Sequence, residues 1–440
     1  MQLYLPLAPE IEDDSELSDR VRLAPIEVAH STFLAGLARR VHRWFRLTPS
    51  FGPGLVQHIL AVTKTPPRSH VLDPFAGAGT TLIESKLGGH DSYGFEINPL
   101  LHFVCSTSLD WSTSASEIND LLHALGTKYS AEVKRAGEAK LEELGFVAPP
   151  IHNPFRWWRP DVLRDLLILR NGIDTVTQAT PQVRAFLRLA LAGVLVPDLT
   201  NVTLGRLQLH FIDRSADKID VWQTFYAHAC TMLEDLKAVA AVPSVGSATV
   251  FHVDATQPAI PQYLPPIDRV ITSPPYPNRY SYVWNTRPHL YLLGFFDTPK
   301  HASELDLRTI GGTWGTATSV LQKGVIPYAL RVMEPILAPV VDQIRKVDNL
   351  MANYLVKYFN LLVHQIRTQH PLLANNAQLA YVVGCSRLTD TYVETDVLLG
   401  RLFEALDLGY HVAAIERFRK RHSGKDLFES TVFVQRRTPS

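Results

Sequence analysis

The chain has 440 residues, 46% of them hydrophobic and 20% charged, and its 43 basic residues balance 43 acidic ones. Such a composition predicts a folded soluble protein of one large domain or two, and no apolar run is long enough to span a bilayer. Zero net charge removes any global argument for nucleic acid, although a local basic groove is enough to neutralise phosphates.

The opening residues turn acidic early and lack a basic stretch before an apolar core. They predict no signal peptide and a cytoplasmic address. Cys105, Cys230 and Cys385 are far apart, with no CxxC pair, so they indicate neither a zinc knuckle nor a disulfide framework.

Residues 1–30 are polar and proline-containing and read as an extended arm. From Thr32 to Thr63 apolar residues recur at helical spacing, interrupted by TPSFGPG, which predicts two helices joined by a loop. Val71-Leu72 is a short buried strand. A glycine-containing turn follows, then a helix from about Thr80 to Leu87, the Gly88-Gly89 stop, and a second strand in SYGFEI. This strand–loop–helix–strand unit is the nucleotide-binding half of a doubly wound sheet. Residues from about 105 to 245 are largely helical. Strands resume at ATVFHVDAT and DRVITSPPY, and 277–350 is irregular and helical. A helix near Tyr354–Thr368, a strand in AQLAYVVGCS, a further helix and two closing strands complete the chain. The expected architecture is α/β, a doubly wound, Rossmann-like sheet with a largely helical insertion. Its divisions are 1–30, the arm; 31–104, a cofactor-binding half; 105–245, the insertion and a candidate target-recognition region; and 246–440, a catalytic half.

Four stretches carry chemistry. In DPFAGAGTT, Gly77 and Gly79 remove side chains so that backbone can approach a ligand, and Thr80 is placed to cap the following helix. The stretch lacks the Gly-Lys-Ser/Thr of a triphosphate loop, and Leu82 replaces the third glycine of a dinucleotide fingerprint. Glu96, roughly 20 residues on, stands where an acid takes ribose hydroxyls. Asp254 ends a third strand and either accepts the amine of an adenine or caps a turn. A ligand with a base, a ribose and a charged amino-acid tail fits these positions.

The fourth stretch is Ser273-Pro274-Pro275-Tyr276, at the end of a fourth strand. Neither proline can donate to a ladder, so the strand stops there. The rigid loop presents the Ser273 hydroxyl, the Pro274 carbonyl and the Tyr276 ring at one point. An exocyclic amine is a poor nucleophile because its lone pair is delocalised. Two acceptors on its N–H groups raise its electron density for attack on an electrophilic methyl group. A base inside a duplex reaches such a pocket only when flipped out.

These residues resemble the S-adenosylmethionine-dependent DNA amino-methyltransferases, which act on N4 of cytosine or N6 of adenine. DPFAGAGTT is similar to their cofactor motif, GFEINPL to the ribose-binding strand and TSPPY to the catalytic motif; here the cofactor motif comes first. HRWFRLTPSFGPG is similar to a cofactor-contacting segment, with Phe51 as the contact. TNVTLGR, RTIGGT and YVVGCS also look like segments of such methylases.

The resemblance implies S-adenosylmethionine bound by Phe51, Asp73, Pro74, Phe75, Ala76, Gly77, Gly79, Thr80 and Thr81, with Glu96, Ile97, Asn98, Asp254 and Ala255. Catalysis falls to Ser273, Pro274, Pro275 and Tyr276, with no metal. The serine is commoner among N4-cytosine enzymes than among N6-adenine ones, so cytosine in double-stranded DNA is the expected target. N6-adenine methylation is the alternative, and RNA base methylation is a more distant one. The expected setting is bacterial or archaeal and nucleoid-associated, with a cognate restriction endonuclease as a possible partner. Candidates for DNA contact are Arg156, Trp157 and Arg159 in the insertion, Arg279 and Tyr280 after the catalytic motif, and Arg419, Lys420 and Arg421 in RFRKRHSGK. Trp157 and Trp158 serve equally well as core anchors of the insertion.

Overall fold

The computed structural model describes residues 15–24, 33–48, 50–205, 208–257, 259, 261, 263–420 and 427–437. Twelve strands are present among them: β1 Val21–Leu23, β2 His70–Asp73, β3 Asp91–Phe95, β4 Val202–Leu204, β5 Leu209–Phe211, β6 Ala248–Phe251, β7 Ile267–Thr272, β8 Leu373–Gly384, β9 Ser386–Leu388, β10 Thr391–Val393, β11 Tyr410–Lys420 and β12 Phe428–Arg436. Eight of them form one sheet in the order β1-β11-β12-β8-β7-β2-β3-β6. The strands β6, β3, β2, β7 and β8 run parallel, and β12 is antiparallel to both of its neighbours.

The central strands are buried on both faces, which is why they read as unbroken apolar runs. Alternation still decides which layer each residue joins. Leu72 and Val270, paired across β2 and β7, face the helices Glu334–Arg345, Asn349–Gln369 and Thr395–Ala405. Val71 and Ile271 face the helix Pro53–Val62 on the other side. Helices Thr80–Leu87 and Pro99–Leu109 share that second side and carry the insertion, whose helices Ala115–Ala136, Pro160–Thr175, Pro181–Leu195 and Val221–Ala240 join the largest apolar cluster.

From β2 the chain winds outward to β3 and β6. It then returns to lay β7 on the opposite side of β2. The order reverses between β2 and β7, and open α/β sheets leave a ligand crevice at such a point, beyond the carboxyl ends of the strands.

Two expectations need correction. Part of the 1–30 arm joins the sheet, because Val21–Leu23 pairs in parallel with Ile415–Arg417. The first expected helix of 32–63 consists of short 3-10 turns, Phe33–Ala38 and His42–Trp44. Tertiary contact overrides the helical spacing there: the Asp235 carboxylate accepts from the Val41 backbone, the Trp44 indole and the Arg43 guanidinium at 2.7–3.2 Å. Val41, Arg43 and Trp44 thus strap this part to the insertion. No helix among the described residues is long and apolar enough to cross a membrane.

Candidate active site

Loops after β2, β3, β6 and β7 border a cleft. Phe51, Asp73 to Gly77, Thr80, Glu96 to Asn98, Asp254, Ala255, Ser273 and Pro275 all line it. Five segments separated in sequence therefore meet at the crevice between β2 and β7.

Glu96 organises the floor. Its Oε2 accepts the Gly77 N–H at 2.8 Å and its Oε1 accepts the Asn98 N–H at 2.7 Å. Gly77 has φ +53°, which favours glycine. Each carboxylate oxygen keeps a lone pair for a ligand hydroxyl. Asp73 Oδ1 accepts from the Phe75 N–H at 3.0 Å and from Thr272 Oγ1 at 2.6 Å. It thereby ties the cofactor loop to the residue directly before Ser273. Asp254 Oδ1 caps its turn through Thr256 N and Oγ1, and the residue lines the cleft, with Oδ2 3.5 Å from Arg308.

Asp73 and Glu96 are both buried and have no basic partner among the described residues. Burial raises Asp73 to about 6 and Glu96 to about 7, and the Asp73 charge adds to the shift at Glu96. Two buried acids beside the apolar faces of Phe51, Phe75, Phe95 and Ile310 suit a ligand that joins a planar base to a cationic tail. These residues fit S-adenosylmethionine: the acids would hold its ribose and charged end, and the aromatic and aliphatic faces its adenine.

A pH dependence follows. Both acids have raised values, so they hold protons well above the normal carboxylate range, and a cation binds best when they are ionised. Cofactor affinity should therefore rise with pH between about 5 and 8 and level off above Glu96's value. Below about 6 the loss should approach tenfold per pH unit for each group that must shed a proton. Calorimetric titration with S-adenosylmethionine or its thioether product across that range tests this; a flat profile would refute ionisation of either acid on binding.

Around the catalytic motif, Ser273 and Pro275 line the cleft, whereas Pro274 and Tyr276 lie beside it. Tyr276 is half-buried against Gly384 at the end of β8, where an added Cβ would come within 2.7 Å of the Tyr276 ring. Glycine at 384 is what admits the ring.

Two expected cofactor contacts are placed elsewhere. Gly79 packs against the helix Pro99–Leu109, where an added Cβ would meet Cys105 Sγ at 2.7 Å. Its φ of +93° occupies the cap position, so Thr80 is the first helical residue and caps nothing with its side chain. Thr81 is fully buried and donates to the Ile271 carbonyl at 3.1 Å, which fastens the helix to β7.

The DNA candidates divide. Trp157 is buried and donates to the His152 carbonyl, and Trp158 is fully buried, so both anchor the insertion. Arg159 is held by Asp161 and by the carbonyls of Arg214 and Asp217. Tyr280 is buried. Arg156 is exposed, and Arg279 lies three residues past Tyr276 with φ +62°. Arg419 and Lys420 belong to β11, their side chains lie outside the description, and Arg421 lies outside the described residues. No group of three His, Cys, Asp or Glu able to hold a metal occurs among the described residues.

Sequence reasoning missed Leu47, Ser50, Tyr282, Val283 and the run Arg308-Thr309-Ile310, all of which line the cleft. The run lies in RTIGGT, so the family-like segment was a signal for it. Leu47 and Ser50 lie in HRWFRLTPSFGPG, which was likewise a signal, whereas Tyr282 and Val283 are brought in by packing.

Comparison with known proteins agrees with this geometry. A family model described as DNA methylase matches residues 47–102, the segment that holds Phe51, the glycine turn and Glu96. Type II methyltransferase M.MvaI from Kocuria varians is 20% identical over 86% of this chain and 83% of its own length. Type II methyltransferase M.BsoBI from Geobacillus stearothermophilus is 23% identical over 60% of this chain, which spans only 54% of that protein. Solved structures similar to this chain include TrmN from Thermus thermophilus (TM-score 0.30, 10% identity, 92% of this chain and 52% of that one). The rRNA methyltransferase aviRa from Streptomyces viridochromogenes is another (TM-score 0.31, 12% identity, 91% and 92%). With the glycine turn, the ribose-side acid and the Ser-Pro-Pro-Tyr loop on one crevice, the chain is similar to S-adenosylmethionine-dependent DNA amino-methyltransferases.

Proposed function

We propose that the protein methylates the exocyclic N4 amine of a cytosine flipped out of duplex DNA. The observation that carries this reading is the position of Ser273, which lines the same cleft as Asp73, Glu96 and Asp254. The cofactor supplies an electrophilic methyl group on a cationic sulfur. The chain supplies geometry: Ser273 Oγ and the Pro274 carbonyl accept from the amine's N–H groups, and Tyr276, wedged against Gly384, offers its ring to the base. As nitrogen bonds to the methyl carbon, the carbon–sulfur bond breaks and a thioether leaves. The nitrogen then sheds one proton to restore a neutral amine.

The serine at 273 favours cytosine; an adenine N6 amine would meet the same acceptors. The two curated relatives are Type II methyltransferases by name, which supports a place in restriction–modification beside a cognate endonuclease. Incubation of unmethylated genomic DNA with methyl-labelled cofactor, followed by digestion to nucleosides, tests the reading. Label is expected in N4-methylcytosine. Label in N6-methyladenine would overturn the choice of base, and label incorporated only with RNA would overturn the choice of substrate.

A further inference from the structure

Two sets of arginines around the insertion contrast. Arg159, Arg164, Arg188 and Arg214 each meet an aspartate at 2.6–2.8 Å. Arg156, Arg279 and Arg287 meet no carboxylate among the described residues and lie over aromatic rings instead. Arg287 is 4.2 Å from the ring centre of Trp284 and 5.0 Å from that of Trp157. Trp157 packs edge-on against Phe211, and Arg156 lies 3.9 Å over that ring. Toward the catalytic loop, Trp284 abuts Gly315, and Arg279 lies 5.7 Å over the ring of the adjacent, exposed Trp314. These contacts form one continuous wall from the insertion to the residues just past Tyr276.

Stacking on a ring orients a guanidinium without neutralising it. A half-buried cation with no counter-charge is costly to hold. Burial lowers Arg287 to about 10, which still leaves it charged at neutral pH. Its Nε donates to the Trp284 carbonyl, and its terminal nitrogens meet no hydrogen-bond partner among the described residues. The Arg279 Nε and Trp284 Nε1 are buried with no hydrogen-bond partner. Arg279 also holds a left-handed backbone, fixed by its N–H to the Tyr354 hydroxyl at 3.2 Å and by its carbonyl, which accepts from the Trp314 indole at 3.3 Å. A strained position so fixed, next to the reacting loop, is where a chain stores geometry for a ligand. Arg159, Arg164, Arg188 and Arg214 are pinned by aspartate. The three on the wall keep their charge uncompensated, and the missing partner is an anion.

We propose that this wall is a phosphate track for duplex DNA, with Arg279, Arg287 and Arg156 each meeting a backbone phosphate on the way from the extruded nucleotide to the insertion. It rests on the DNA reading above. Neither Arg287 nor Trp284 is marked by a sequence motif, and zero net charge hides the patch.

The test needs no knowledge of the recognition sequence. Binding of a labelled duplex of arbitrary sequence is measured against salt for the wild type, for R156M, R279M and R287M singly, for the triple variant, and for R287K. Each lost phosphate contact should lower the slope of log K against log salt by about 0.9, and the triple variant should lose roughly 2.7. R287K should retain the wild-type slope. Affinity for S-adenosylmethionine, unchanged in every variant, reports that the fold is intact. An unchanged slope in the triple variant, with duplex still bound, would overturn the track and leave the DNA reading standing. Wild-type protein that binds cofactor but no duplex would overturn both.

Discussion

Ser273→Ala should lower methyl transfer by roughly 10²–10³-fold, the loss typical when one positioned polar group is taken from a developing charge, while cofactor affinity changes less than twofold. The side chain lines the cleft. Its backbone is fixed independently, because Thr272 is fastened to Asp73 and Tyr276 is seated on Gly384. Removing one hydroxyl therefore leaves the cofactor floor intact and takes away one of two acceptors for the amine. Single-turnover methylation with calorimetric cofactor binding separates the effects. A parallel loss of cofactor affinity would remove Ser273 from the chemistry and make it a cofactor contact.

The opposite split is expected at Glu96. Glu96→Ala should weaken cofactor binding by about 2–3 kcal/mol, ~30–150-fold, because it removes a ribose acceptor and strands two backbone donors. Gly77 N–H and Asn98 N–H both end on this carboxylate, so the glycine turn loses one of its holds on the end of β3 and keeps the Ala76 N–H to the Phe95 carbonyl at 3.0 Å. Saturating cofactor should restore most of the rate if Ser273 and Tyr276 are undisturbed. Equal affinity in variant and wild type would refute the assignment of this cleft to the cofactor. The pH profile of binding gives a second check, since the variant should lose the component near 7 that belongs to Glu96 and keep the one near 6 that belongs to Asp73.

The crevice residues were legible because their chemistry is local. A glycine turn after an apolar strand, an acid ending the next strand and a double proline ending the fourth each have one physical use, and each is read within about ten residues. Gly79 and Thr81 show where that local reading stops. Both lie inside the recognised motif, yet one is small to admit Cys105 and the other is buried to hold β7. Conformational need and ligand contact leave the same letter in the chain.

Charge misleads in the same way. Arg159 looked like a DNA contact and is spent on Asp161 and two carbonyls. Arg287, in the segment Asn278–Trp314 that reads as a candidate DNA face, was not singled out and stands uncompensated between two indoles. Nothing in composition distinguishes them, because pairing is decided by residues brought together from distant parts of the chain.

Periodicity, turn residues and short motifs were enough to specify a doubly wound sheet, the crevice and the side chains aimed into it. Those are consequences of backbone geometry that each segment expresses by itself. Tertiary packing alone decided that the arm lends a strand to the sheet, that Tyr282 and Val283 line the cleft, and which arginines keep an unpaired charge. Each of these depends on what lies opposite a residue in space.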